Sequence, residues 1–82
     1  MDEIKVYIKV NSRNEIIDVN SEIFIKDFTN WVMIDKGFGD KYAHAQSQYF
    51  AKSLITDNGT YQYRYVNGQV RENNESIIYW NL

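Results

Sequence analysis

His44 is the only histidine in the 82 residues, and a lone imidazole could act as an acid or a base. To act as an acid or base it would need a nucleophile or a carboxylate within reach. Asp40 lies four residues earlier, so one helical turn would place the two on one face. The plainer reading is a hydrogen-bonded structural histidine. Asp18, Asp27, Asp35 and Asp40 could assemble the paired carboxylates of glycoside hydrolysis, but a chain this short has little interior in which to build a deep cleft. Gly37-Phe38-Gly39-Asp40 lacks the third glycine and the βαβ frame of a dinucleotide fingerprint, which leaves a conformationally constrained loop. There is no cysteine, which excludes disulfides, thiolate metal sites and a cysteine nucleophile. The eleven acids are dispersed, and one histidine cannot make a zinc site without other ligands. These residues predict no catalysis, no metal and no cofactor.

Binding chemistry is better represented. Tyr61, Tyr63 and Tyr65 alternate with Gln62, Arg64 and Val66, which lines one face of a strand with phenols. That face could stack on sugar rings or form a protein interface, where tyrosine is enriched. It could equally pack over the aliphatic face of the N-terminal strand as core. Tyr42, His44, Gln46 and Trp80 complete the candidate binding residues. Ile77-Ile78-Tyr79-Trp80 carries no charge, and the chain has no proline. As an edge strand this segment invites pairing with a second copy, and as an inner strand it would be tucked into its own sheet.

The elements that must position these residues follow from periodicity and turn chemistry. Ile4, Val6, Ile8 and Val10 alternate with Lys5, Tyr7 and Lys9, the pattern of a half-buried strand. Asn11-Ser12-Arg13-Asn14 is a turn, and Glu15 to Val19 resumes as the second arm of a hairpin. Ser21 can cap a short helical turn in which Phe24 and Phe28 share a face, although Ile23 to Ile25 could also continue a strand. Trp31 to Asp35 predicts a third strand, and Lys41 to Gln48 one or two helical turns. Asp57-Asn58-Gly59 and Asn67-Gly68 are turn signals, the second folding Gln69 to Glu72 back on the tyrosine strand. Ser76 to Trp80 could form a last strand. The expected fold is mainly β: one domain over residues 1–82, a small antiparallel sheet of about five strands built from hairpins, and a short helical segment near residues 41–48.

Net charge is −2, and the basic residues are scattered from Lys5 to Arg71. That balance provides no basic stripe for phosphates, so no nucleic-acid partner is expected. No run reaches the roughly 18 apolar residues of a membrane span, and Met1-Asp2-Glu3 is unlike the basic start of a signal peptide.

A longer pattern carries a resemblance. It runs through Asn14-Glu15-Ile16-Ile17, Asn20-Ser21, Trp31 to Gln46, Tyr49-Phe50, Lys52, Gly59 to Arg64 and Asn67-Gly68. Its centre is Gly39-Asp40-Lys41-Tyr42 followed by His44-Ala45-Gln46. The chain resembles a family of small proteins encoded by phages and prophages of Gram-positive bacteria, near tail and tail-fibre genes. Ser47 departs from the glycine expected after His-Ala-Gln. Relatives of that kind often continue into a charged or coiled-coil tail, whereas this chain stops at Leu82. The family offers no catalytic residues to carry over.

The resemblance implies a tail-associated accessory protein that works by protein contacts, located in the virion tail or the host cytoplasm. Its partners would be tail or baseplate components, or a second copy of itself. A phage-encoded inhibitor of a host defence or regulatory protein, and a small glycan-binding module, are the alternative expectations.

Overall fold

A computed structural model describes residues 2–73. Five antiparallel strands, a 3₁₀ turn and two single-turn helices make up the described chain. The strands do not form one continuous sheet. Ile4–Val10 (β1), Ile16–Ser21 (β2) and Val32–Gly37 (β3) make a three-stranded sheet in the order β2-β1-β3, while Tyr63–Val66 (β4) and Gln69–Glu72 (β5) form a separate hairpin. The predicted last strand at Ser76 to Trp80 lies outside the described residues.

The alternation in β1 does what period two requires. Val6 and Ile8 are fully buried, while Lys5, Tyr7 and Lys9 point to the other side. Asn11 closes the β1–β2 turn with its side chain: its Oδ1 accepts from the N–H of Arg13 and of Glu15, and its Nδ2 donates to Glu15 Oε1 at 2.9 Å. Asn14 takes the positive φ the turn requires, at 63°.

Two bulges then set which residues face inward. In β2 the register steps from Lys9↔Asp18 to Val10↔Ile16, leaving Ile17 unpaired and exposed between buried Ile16 and Val19. In β3 it steps from Val6↔Asp35 to Tyr7↔Met33, leaving Ile34 as the extra residue. Ile34 packs on the core. The step also turns Asp35 to the same side of the sheet as Val6.

The helical segment covers that inner face. Expected as one or two turns over Lys41 to Gln48, it is two, Asp40–Ala43 (α1) and Ala45–Gln48 (α2), broken at His44 (φ −114°, ψ 44°). Ala45 is fully buried, and α2 packs on β2. The predicted capping by Ser21 is present, its Oγ accepting from Ile23 N–H at 3.2 Å. The turn it caps spans only Glu22–Phe24, because Ile25 is already extended. Phe24 and Phe28 therefore do not share a helical face. Phe24 lies toward His44, and Phe28 packs edge-on against Tyr7 with ring centroids 4.9 Å apart.

The β4–β5 hairpin turns at Asn67-Gly68, both at positive φ (54° and 76°), which suits the primed two-residue turn the sequence predicts. It is joined to the first hairpin through the bridge Glu15↔Arg64 and through Tyr65 N–H donating to Asn14 O at 2.8 Å. The core is formed by Val6, Ile8, Ile16, Val19, Ala45 and Tyr63.

Candidate functional site

The tyrosine face turns inward. Tyr63 is 6% exposed and belongs to the core, and Tyr65 packs against it. The Tyr63 ring lies 4.5 Å from Phe50, and its hydroxyl accepts from Lys52 N–H at 3.1 Å. Tyr61 is half-buried and makes only an isolated bridge to Ile55. Of the two readings left open by the alternation, the structure gives the packed one for Tyr63.

From Tyr63 a chain of rings runs back to the sheet. Phe50 meets Tyr49 at 5.0 Å, and Tyr49 meets Tyr42 at 6.1 Å, both edge-on. Tyr49 donates to Asp35 Oδ2 at 2.8 Å, and Tyr42 reaches the same oxygen at 3.4 Å. Burial first, and then the hydrogen bond and negative charge of Asp35, hold the Tyr49 phenol well above its usual pKa. Lys41 Nζ lies 5.0 Å from the Tyr49 ring centroid and 5.8 Å from that of Tyr42. This arrangement anchors α1 and α2 to β3. Both phenols are half-buried behind Lys41, so Tyr42 serves mainly to position the helices.

His44 and Gln46 are brought together on the surface beside α2. A concavity of about 260 Å³ is lined by Asn20, Phe24, His44, Gln46 and Ser47. Gln46 and Ser47 also border a second hollow of about 360 Å³ that continues along residues 50–54 over Val19. His44 is exposed, and the rings of His44 and Phe24 are 6.5 Å apart. Asp40 does not orient the imidazole among the described residues; the contact between the two is His44 N–H donating to the Asp40 carbonyl at 2.8 Å.

Compared with family models, curated proteins and solved structures, the chain matches none of them. The candidate site therefore stands on its own geometry. Among the described residues, no three His, Cys, Asp or Glu side chains gather closely enough to hold a metal ion. Among the same residues, no helix is long and apolar enough to cross a membrane.

The groove thus combines an exposed aromatic ring, two side-chain amides, an imidazole and a hydroxyl. It can accept and donate hydrogen bonds around a neutral ligand or a loop of another protein. His44 and Gln46 were legible as candidates because they stand out in the sequence. Asn20 and Ser47 were not singled out as binding residues, since only the packing of α2 on β2 brings them alongside. Trp80 lies outside the described residues.

Proposed function

We propose that this protein is a tail-associated accessory component of a phage or prophage, acting through protein contacts without catalysis. One observation carries the binding part of this reading. Among the described residues six hydrophobic side chains are buried, while nine large ones, including Phe24, Phe28, Met33 and Phe38, are exposed. Single exposed apolar residues are ordinary, but Phe28 packs on Tyr7 and Tyr7 pairs with Met33, and such a contiguous exposed apolar strip is surface that a partner would cover. The setting is supported by the resemblance centred on Gly39-Asp40-Lys41-Tyr42 and His44-Ala45-Gln46.

Mass spectrometry of purified virions tests the setting. The protein is expected among the tail proteins in a constant ratio to them. Its absence from virions, with abundance in infected cells, would overturn the tail role in favour of an inhibitor of a host protein. Light scattering on the purified chain tests the related proposal of self-pairing through an edge strand, which requires a dimer or larger species.

A second reading, a module for neutral saccharides, draws on the groove and no longer on the tyrosine strand. Phe24 is 58% exposed beside Asn20 and Gln46, and a ring with flanking amides suits the apolar face and hydroxyls of a sugar. Glycan-array binding abolished by Phe24→Ala, with the fold retained, would support it.

A further inference from the structure

The side of the three-stranded sheet away from the helices carries an organised, partly exposed strip. Tyr7 of β1 stands directly opposite Met33 of β3, so both side chains rise from that outer face. Phe28 rests edge-on against Tyr7, and Lys9 Nζ sits 4.8 Å from the centroid of Trp31. Phe28 and Met33 remain 44% and 46% exposed. At the end of this apolar strip, Lys5 and Lys36 are direct partners across β1 and β3, both exposed.

That lysine pair is the informative feature. Like charges directly opposite on one face oppose strand pairing, so nothing within the sheet favours the arrangement. Two of the nearby acids are held by backbone and hydroxyl donors. Glu22 accepts from the backbone N–H of Lys5 at 2.6 Å, and Asp27 accepts from the N–H and hydroxyl of Thr29. Lys52 with Glu72 is the ion pair found among the described residues, and it is remote from this face in sequence and sheet. Among the described residues neither Lys5 nor Lys36 takes part in an ion pair.

We propose that this outer face docks a segment of a different protein that presents carboxylates beside apolar side chains. The carboxylates meet Lys5 and Lys36, and the apolar groups cover Phe28 and Met33. Methionine's flexible thioether adapts to an irregular partner surface. A second copy of the chain with its strip running the same way would set lysines against lysines. Single-stranded nucleic acid is also a poor fit. Lys9 lies over the Trp31 ring and Phe28 packs on Tyr7, so these rings are already engaged and are not free as stacking platforms for bases. This inference rests on the protein-binding reading above and adds the surface and the partner's chemistry.

The test uses isotope-labelled full-length protein and a synthetic peptide of alternating Glu and Leu, with an alternating Lys and Leu peptide and oligothymidylate as controls. Amide shifts on adding the Glu–Leu peptide are expected at Lys5, Tyr7, Met33 and Lys36, with binding weakened by added salt. Reversing charge with Lys5→Glu and Lys36→Glu should lower affinity about tenfold. The neutral pair Lys5→Gln and Lys36→Gln should give an intermediate loss, and circular dichroism should report an unchanged fold for both. Shifts confined to the α2 groove, equal binding of the Lys–Leu peptide, tighter binding of oligothymidylate, or a dimer dispersed by Met33→Asp would each overturn the proposal. Detection in virions together with any of those results would leave the tail reading standing and remove only this surface from it.

Discussion

The ring of Tyr42 lies flat against the backbone of Gly37. A Cβ placed on Gly37 would come within 2.5 Å of Tyr42 Cε2 and Cζ. Gly37 ends β3 and Tyr42 sits in α1, so this contact lets the first helical turn lie close on the sheet. Gly37→Ala should therefore push the ring out of its seat and cost about 1–3 kcal/mol, the range for forced overpacking. Chemical denaturation checks the size. In a Tyr42→Ala background the same substitution should cost much less, because the clashing ring is gone.

Tyr49 gives a pH dependence with a definite sign. Its folded pKa lies above the unfolded one, through burial and then through Asp35. Its contribution to stability is thus complete below the unfolded value of about 10 and is lost as pH rises beyond it. Denaturation midpoints should fall more steeply for the native chain than for Tyr49→Phe as pH rises above about 10. At neutral pH Tyr49→Phe should cost about 1–2 kcal/mol through the lost hydrogen bond to Asp35. An equal decline in both proteins would show that Tyr49 is not the responsible phenol.

Gly68 is at φ 76° with no other group within 4 Å of its would-be Cβ. Gly68→Val therefore tests backbone strain alone. It should destabilise by more than about 1 kcal/mol, since a β-branched residue resists the left-handed region. Hydrogen exchange should show the loss first at Val66 and Gln69, the pair that flanks the turn between β4 and β5. Unchanged protection there would contradict the turn geometry.

Asn11 makes three side-chain hydrogen bonds that close the first hairpin, two of them with the buried Glu15. Asn11→Ala should cost about 1–3 kcal/mol, because Glu15 keeps its burial and loses a partner. Thermal melting provides the measurement. A loss below about 0.5 kcal/mol, the range of ordinary surface changes, would mean that water replaces the amide.

His44 is exposed and has no side-chain hydrogen bond among the described residues, contrary to the structural histidine expected. His44→Ala should change stability by less than about 0.5 kcal/mol. If the groove beside α2 is a contact surface, the same variant should weaken that contact while the melting temperature stays constant. A large loss of stability would place the imidazole in the packing instead.

Local chemistry determined much of the fold. Alternation in Ile4 to Val10 sets a strand with a greasy face, because successive side chains point to opposite sides whatever surrounds them. Asn67-Gly68 sets a tight turn, because its two residues tolerate the positive φ that turn needs. Both are properties of neighbouring residues, and so they were legible in the sequence. What tertiary structure decided depends on register, which many distant contacts set jointly. One extra residue at Ile34 turned Asp35 toward Tyr49 and set Lys36 against Lys5. The packing of Ala45 and Val19 in one core went with the break at His44, and the same core took in Tyr63. A single-residue step in pairing reverses which side every later side chain faces, so no inspection of β3 alone could have located the carboxylate or the lysine pair.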